Sequence, residues 1–216
     1  MTHCILAIDT SAGTTVAVVK GGQICTQLNF DENMKHAERI GEAIASALAV
    51  VETKPTEVTS VVVGRGPAPF TGLRIGIAAA IMFAEAVGAK LFGVVSLDGI
   101  ARAALESQPD AKPLLVTADA RRSEIYWAVY DGVTKNGAPI LIEGPGVAKP
   151  EVVNEKFADT KFAHTEIKIN AADLAKVLEA QVLDGTASHD ISALYLREAD
   201  AVAPKDIRDA GKKVSG

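Results

Sequence analysis

VVVGRGPAPFTGLRIG, residues Val61–Gly76, decides the fold, because an apolar run, a Gly/Pro-rich loop and a helical pattern follow one another without a break. That order reads strand, rigid turn, helix. Thr71 is placed to accept hydrogen bonds from the first turn of the helix, while Pro67, Pro69, Gly64, Gly66 and Gly72 fix the approach. From Leu73 to Val87 the only charges are Arg74 and Glu85, so no wide polar face remains and the helix is expected to be buried on nearly every side. Gly72, Gly76, Ala80 and Ala84 recur every four residues. This small-residue stripe lets another backbone come close, and the helix is the first candidate for a protein interface.

Working outward, the 216 residues suffice for one sizeable core or two small lobes, and 48% hydrophobic with 23% charged residues is ordinary for a folded chain. The net charge of -5 gives no whole-chain footprint for nucleic acid. Cys4 and Cys25 lack any C-x-x-C spacing or nearby His at ligand spacing, which points to buried free thiols in a reducing compartment rather than a disulfide framework or zinc site. MTHCILAIDT enters a strand-like run directly, without the marks of a signal peptide, and no apolar stretch reads as membrane-spanning. A cytoplasmic protein without membrane contact is expected.

The first segment reads as a β-meander: apolar runs at Ile5 to Ile8 and Val16 to Val19, a Gly21-Gly22 turn, and a third strand. Residues 31–51 switch to helical spacing, with an apolar stripe of Ile40, Ile44, Leu48 and Val51 and a small one of Ala37, Gly41 and Ala45. A buried strand at Leu91 to Val95 precedes a helix at Leu97 to Leu105 capped by Ser96. The polar stretch ESQPDAKP leads to a second β-rich segment, LLVTADARRSEIYWAVYDG, and then a Gly/Pro-rich region to about Pro150. A short helix at 152–157, a strand around 161–169, a helix from Asn170 or Ala171 to Val182 and an extended ISALYLRE complete the pattern. The expected division is an N-terminal lobe over 1–97, a C-terminal lobe over 98–204 and a polar tail over 205–216.

The lobes echo one another. Asp9 and Asp119 each end an apolar strand, and Gly22 and Gly132 follow at the same distance, an offset of 110. The unit IDTSAGTTV resembles the first phosphate loop of the actin, sugar kinase and heat-shock ATPase superfamily, with Asp9, Ser11 and Thr14 where a metal-bound phosphate would be met. A triphosphate in that fold is clasped from both sides, yet the second lobe reads ADARRSEI, placing side chains where backbone approach needs glycine. The loop is therefore expected to be vestigial, with Asp9 capping a turn. His36 is followed one turn later by Ile40 rather than a second histidine, and no histidine or lysine is placed as a base for Ser11, Thr14 or Thr71. No catalytic residue, metal or cofactor is expected. GRGPAPFTGLRIG lacks the Lys-Ser/Thr ending of a P-loop, so its glycines are assigned to the angle of the helix and Arg65 to a local ion pair.

ILAIDTSAGTTVAVV, HAERI, VVVGRGPAPFTGLRIGIAAA, GVVSLDGIA, ADARRSEIYWAVY and ALYLREADAVAP together resemble the bacterial TsaB (YeaZ) family from about Ile5 to Pro204. Ala68 and Pro69 stand where glycine and serine are usual in the family pattern. The resemblance implies an α/β, two-lobe, actin-like (ASKHA) fold that is catalytically degenerate. It implies a non-enzymatic subunit of the system that makes threonylcarbamoyladenosine in tRNA at position 37, beside the anticodon. The implied partners are the catalytic paralogue TsaD and, through that pair, the ATPase TsaE, with tRNA met only in the complex and a homodimer when the chain is alone. It places the partner contact on His36, Arg39, Ile40, Ala43, Ile44 and Ala47 of one helix and Leu73, Gly76, Ile77, Ala80, Ile81 and Ala84 of the next. An actin-like ATPase or kinase, a peptidase and a homodimeric structural protein are the competing classes.

Overall fold

The computed structural model describes residues 3–30, 36–158, 163–165 and 168–197. Strands β1 (Cys4–Asp9), β2 (Thr14–Lys20) and β3 (Gln23–Phe30) form the expected meander, followed by helix α1 (His36–Val50), β4 (Ser60–Gly64), α2 (Phe70–Val87) and β5 (Lys90–Val94). They build a five-stranded sheet in the order β3-β2-β1-β4-β5, with β4 parallel to both β1 and β5. Strand periodicity divides its side chains cleanly. Leu6, Ile8, Val16, Val18, Val61 and Val63 face a core closed by Ile40, Ala43, Ile44, Ala47 and Leu48 of α1 and by Ala80 and Ala84 of α2. Ile5, Ala7, Ala17, Val19 and Val62 face the other way.

After α3 (Ser96–Ser107) the motif repeats with β6 (Leu114–Asp119), β7 (Ile125–Val133) and β8 (Pro139–Ala148), then α4 (Pro150–Lys156), β9 (Ala163–Thr165) and α5 (Ala171–Asp184). The second sheet runs β8-β7-β6-β9, with β9 parallel to β6. Its hairpin keeps the register of the first: Cys4 faces Lys20 and Asp9 faces Thr15, while Leu114 faces Tyr130 and Asp119 faces Ile125, each displaced by the offset of 110. The echo in the sequence is thus a structural duplication. Gly22 turns the first hairpin, whereas Gly132 sits inside β7, and its turn is closed by the Thr134–Ala138 and Gly137–Thr134 backbone bonds.

Four expectations are corrected. The Gly/Pro-rich region before Pro150 is the ten-residue strand β8, which tolerates Pro139 and Pro145 because it is an edge strand with an irregular register. Neither Thr71 nor Ser96 caps its helix: α2 starts after Pro69 and α3 after Val95, both without a side-chain cap bond. Helix α2 is long and apolar enough to cross a membrane and is not enclosed on nearly every side, since only Leu73, Gly76, Ala80 and Ala84 are buried. Cys4 is buried as expected, but Cys25 is exposed.

The chain does not divide at residue 98 into two contiguous lobes. Helix α5 packs Ala171, Ala172, Leu174, Ala175, Val177 and Leu178 against the second face of the first sheet. An apolar stripe on α5 and an uncovered sheet face solve each other's burial problem. From α5 the chain runs on as an extended strap along β5. Gly93 donates its N–H to the Ser188 carbonyl at 3.0 Å, Leu194 donates to the Arg65 carbonyl at 2.8 Å, and His189 stacks on Phe92. The expected tail over 205–216 lies outside the described residues.

Candidate functional site

Asp9 and Thr10 form the hub of the first lobe. Asp9 is fully buried; its Oδ1 accepts the Ser11 N–H at 2.7 Å and the Ser11 hydroxyl, and its Oδ2 accepts the Ser96 hydroxyl at 2.6 Å. Ser96 Oγ in turn accepts the Gly66 N–H at 3.2 Å. A Cβ on Gly64 would lie 1.8 Å from Asp9 Oδ2, and one on Gly76 would lie 2.2 Å from Thr10 Oγ1. Thr10 Oγ1 donates to the Gly72 carbonyl at 2.9 Å. The glycines of GRGPAPFTGLRIG therefore make room for the Asp9-Thr10 pair. Only Gly66, at φ 91°, needs the left-handed backbone that a turn residue supplies. Thr10, and the role of Ser96 as a partner of Asp9 rather than a helix cap, escape sequence reasoning; the signal is the placing of Gly64 and Gly76, whose partners lie far away in the chain.

Beside this hub a cleft of about 140 Å³ is lined by Asp9, Gly13, Thr14, Asn29, Lys168 and Asn170, among others. Two N–H groups in the first turn of α5, which could meet an anion, are already donated to side chains: Ala171 to Thr15 Oγ1 at 3.1 Å and Ala172 to Gln27 Oε1 at 3.2 Å. The cleft brings the predicted Asp9 and Thr14 together, and Ser11 turns its hydroxyl onto Asp9. In the second lobe Asp119 accepts the Arg121 N–H at 2.8 Å, and Arg121, Arg122 and Ser123 all hold positive φ. Among the described residues no group of three or more His, Cys, Asp and Glu is gathered as metal ligands.

Asp98, in the first turn of α3, accepts the Tyr130 hydroxyl at 2.7 Å. Burial pushes its carboxyl up to about 6, against the opposing pull of the Tyr130 hydrogen bond and the Arg65 charge. Burial likewise raises Tyr130 well above the ordinary phenol range, reinforced by Asp98. Arg65 does not pair locally: it bridges Asp190 of the strap at 2.7 Å and donates to the Ser192 carbonyl at 3.1 Å.

The residues expected to meet a partner are split by the fold. Ile40, Ala43, Ile44 and Ala47 of α1 and Ala80 and Ala84 of α2 are buried against the chain's own sheet, and Leu73 and Gly76 against the Gly66 loop and Thr10, so Gly76, Ala80 and Ala84 serve intramolecular packing. Arg39 and Ile77 are half-buried, Ile81 is exposed, and the His36 side chain lies outside the described residues. The outward faces carry a different set: Gly41, Ala45 and Ala49 on α1, and Ala78, Ile81 and Met82 on α2, with Met82 74% exposed. The Gly41/Ala45 stripe is legible in the sequence; Ala78 and Met82 are not, because apolar residues run all round this helix.

The model of the family described as TsaD, tRNA N6-adenosine threonylcarbamoyltransferase, matches residues 32–205. A TsaB protein of Haemophilus influenzae, described as a tRNA threonylcarbamoyladenosine biosynthesis protein, is 31% identical over 215 residues, covering 89% of this chain and 90% of that protein. The Escherichia coli protein of the same description is 34% identical over 154 residues, 71% of this chain and 65% of that one. An uncharacterised Mycobacterium leprae protein is 40% identical over 212 residues, 91% of this chain, and this chain spans 55% of its length. A solved Pseudomonas aeruginosa structure, described as an uncharacterised protein with similarity to peptidase YeaZ, superposes with a TM-score of 0.75 at 23% identity, covering 90% of this chain and 100% of that chain. The two sheets and this likeness give a mixed α/β fold shared with the Pseudomonas structure, and the Haemophilus relative, covered over 90% of its length, together with the matching TsaD-type family model shows that the chain belongs to the TsaB (YeaZ) family of threonylcarbamoyladenosine biosynthesis proteins.

Proposed function

We propose that this chain is a non-catalytic scaffold subunit of the machinery that makes threonylcarbamoyladenosine in tRNA at position 37. In this reading it holds a catalytic TsaD-type paralogue in its active shape. A TsaE-type ATPase docks on the pair, and tRNA is met only through the complex, in the cytoplasm. The observation that carries the reading is the outward face of α1 and α2, where Gly41, Ala45, Ala49, Ala78, Ile81 and Met82 leave small and apolar side chains in water. Two such helices meeting two from a related fold make a four-helix bundle and a standard interface of roughly 1,600 Å². When the paralogue is missing, the same face closes a homodimer. The degenerate character of the loop is supported by Asp9, whose two carboxylate oxygens are engaged by Ser11 and Ser96.

The test is light scattering on an equimolar mixture with the TsaD-type protein of the same organism, against each alone. A one-to-one species is expected. Ala45→Arg and Met82→Glu, both on exposed positions, should each weaken it by about tenfold or more with melting unchanged. Association of both variants at wild-type strength would remove this face from the interface.

A further inference from the structure

The two motif segments FTGLR and LYLR meet at the start of α2 and build something that the packing of the lobe does not use. Phe70 and Tyr195 stack with ring centroids 3.8 Å apart and planes 6° off parallel. The Arg74 guanidinium lies over the Phe70 ring at 4.3 Å and its Nε donates to the Tyr195 hydroxyl at 2.8 Å. The side chain is thus fixed by an aromatic face and by the hydrogen bond it donates to the strap, and among the described residues no acidic group pairs with it. With Nε engaged, the Nη1/Nη2 edge remains, and that planar pair of donors matches a carboxylate in two parallel bonds. Holding an exposed arginine in one geometry removes in advance the side-chain entropy that usually makes surface ion pairs weak.

Arg74 is exposed at the N-terminal end of the outward face of α2, which continues through Ala78 and Met82 to the exposed Glu85. Eleven residues set the two charges about 16 Å apart along the axis, with the apolar centre between them. We infer that Arg74 is a preset carboxylate receptor, so that the partner accepted by this face is an apolar, small-sided helix carrying an acidic side chain opposite Arg74. This rests on the proposed docking face and names the chemistry that recognises its occupant. A carboxylate fits better than an RNA phosphate: among the described residues the exposed face of α2 is otherwise apolar up to Glu85, the exposed charge that α1 adds is Glu42 rather than a second cation, and the chain carries a net charge of -5.

The test is the affinity of the full chain for the TsaD-type paralogue by titration calorimetry at low and high salt, using wild type, Arg74→Glu, Arg74→Met and Tyr195→Phe. Wild-type binding should weaken with salt; Arg74→Glu should lose about 30-fold or more, Arg74→Met about tenfold with a flattened salt dependence, and Tyr195→Phe a few-fold. If wild type binds and Arg74→Glu binds within about twofold of it, the receptor is overturned while the docking face stands. If wild type fails to bind at all, both fall. Binding of tRNA by the chain alone, abolished by Arg74→Glu while association with the paralogue is unaltered, would overturn the inference in favour of a nucleic-acid contact.

Discussion

Asp9 shows how much a single buried carboxylate can organise. Its bonds tie the end of β1 to the start of α3 and, through Ser96 and Gly66, to the loop after β4. Asp9→Ala would leave the Ser96 hydroxyl without its acceptor and open space under Gly64; a loss of about 2–3 kcal/mol in stability is expected. Activity of the reconstituted complex, measured per folded molecule, should stay within a few-fold of wild type. A loss on the order of a hundredfold with folding intact would instead mean that the first lobe still handles an anion. Arginine at Ala80 or Ala84 is no clean probe of docking, because both side chains face the sheet; it should unfold the lobe. Asp98 gives a pH signature. Its folded value of about 6 exceeds the unfolded value of about 3.9, so the folded state holds an extra proton between them. Its contribution is full below pH ~4 and is lost as pH rises through ~6. Asp98→Asn keeps an acceptor for Tyr130 and removes the titration. Denaturation across this range should show a flatter decline than wild type, and by pH 7 a stability gain on the order of 2 kcal/mol; identical profiles would assign the titration to other groups.

At the scale of elements, the strap is set by one glycine. A Cβ on Gly93 would stand 2.1 Å from the Asp190 carbonyl oxygen, a backbone atom that cannot move away alone. Gly93→Ala should displace residues 188–194 from the edge of β5, exposing the Gly93 N–H and breaking the Arg65–Asp190 bridge. Hydrogen exchange of the Gly93 and Leu194 amides is the readout, and protection equal to wild type would show that the strap does not depend on this approach. The helices repeat the lesson in another form. Periodicity placed α1 and its buried stripe of Ile40, Ile44 and Leu48 correctly, because charged and small residues mark its other side. In α2 apolar residues run all round, so side-chain period does not mark which side faces water, and the exposure of Met82 is set by the fold.

Across the whole molecule, the duplicated hairpins are closed into one body by elements from the other end of the chain. Helix α5 supplies the second core of the first sheet, and Asp184 at its end accepts the Thr134 hydroxyl and the Asn136 amide, both at 2.5 Å, from the second hairpin. A chain ended before Ala171 would leave Ile5, Ala7, Val19 and Val62 uncovered. Circular dichroism and solubility of such a truncation should show no cooperative fold; an independently stable N-terminal lobe would mean that α1 and α2 alone close the core. What the sequence determined by itself was local and repetitive: strands and helices set by side-chain period, and the echo at an offset of 110 that the register of both hairpins retains. Tertiary structure alone decided what Gly64 and Gly76 make room for, which face of α2 is covered, and that α5 returns to the first sheet. Each of these depends on contacts between residues far apart in the chain, such as the 87 positions between Asp9 and Ser96, and local pattern carries no record of which distant surface fills a given space.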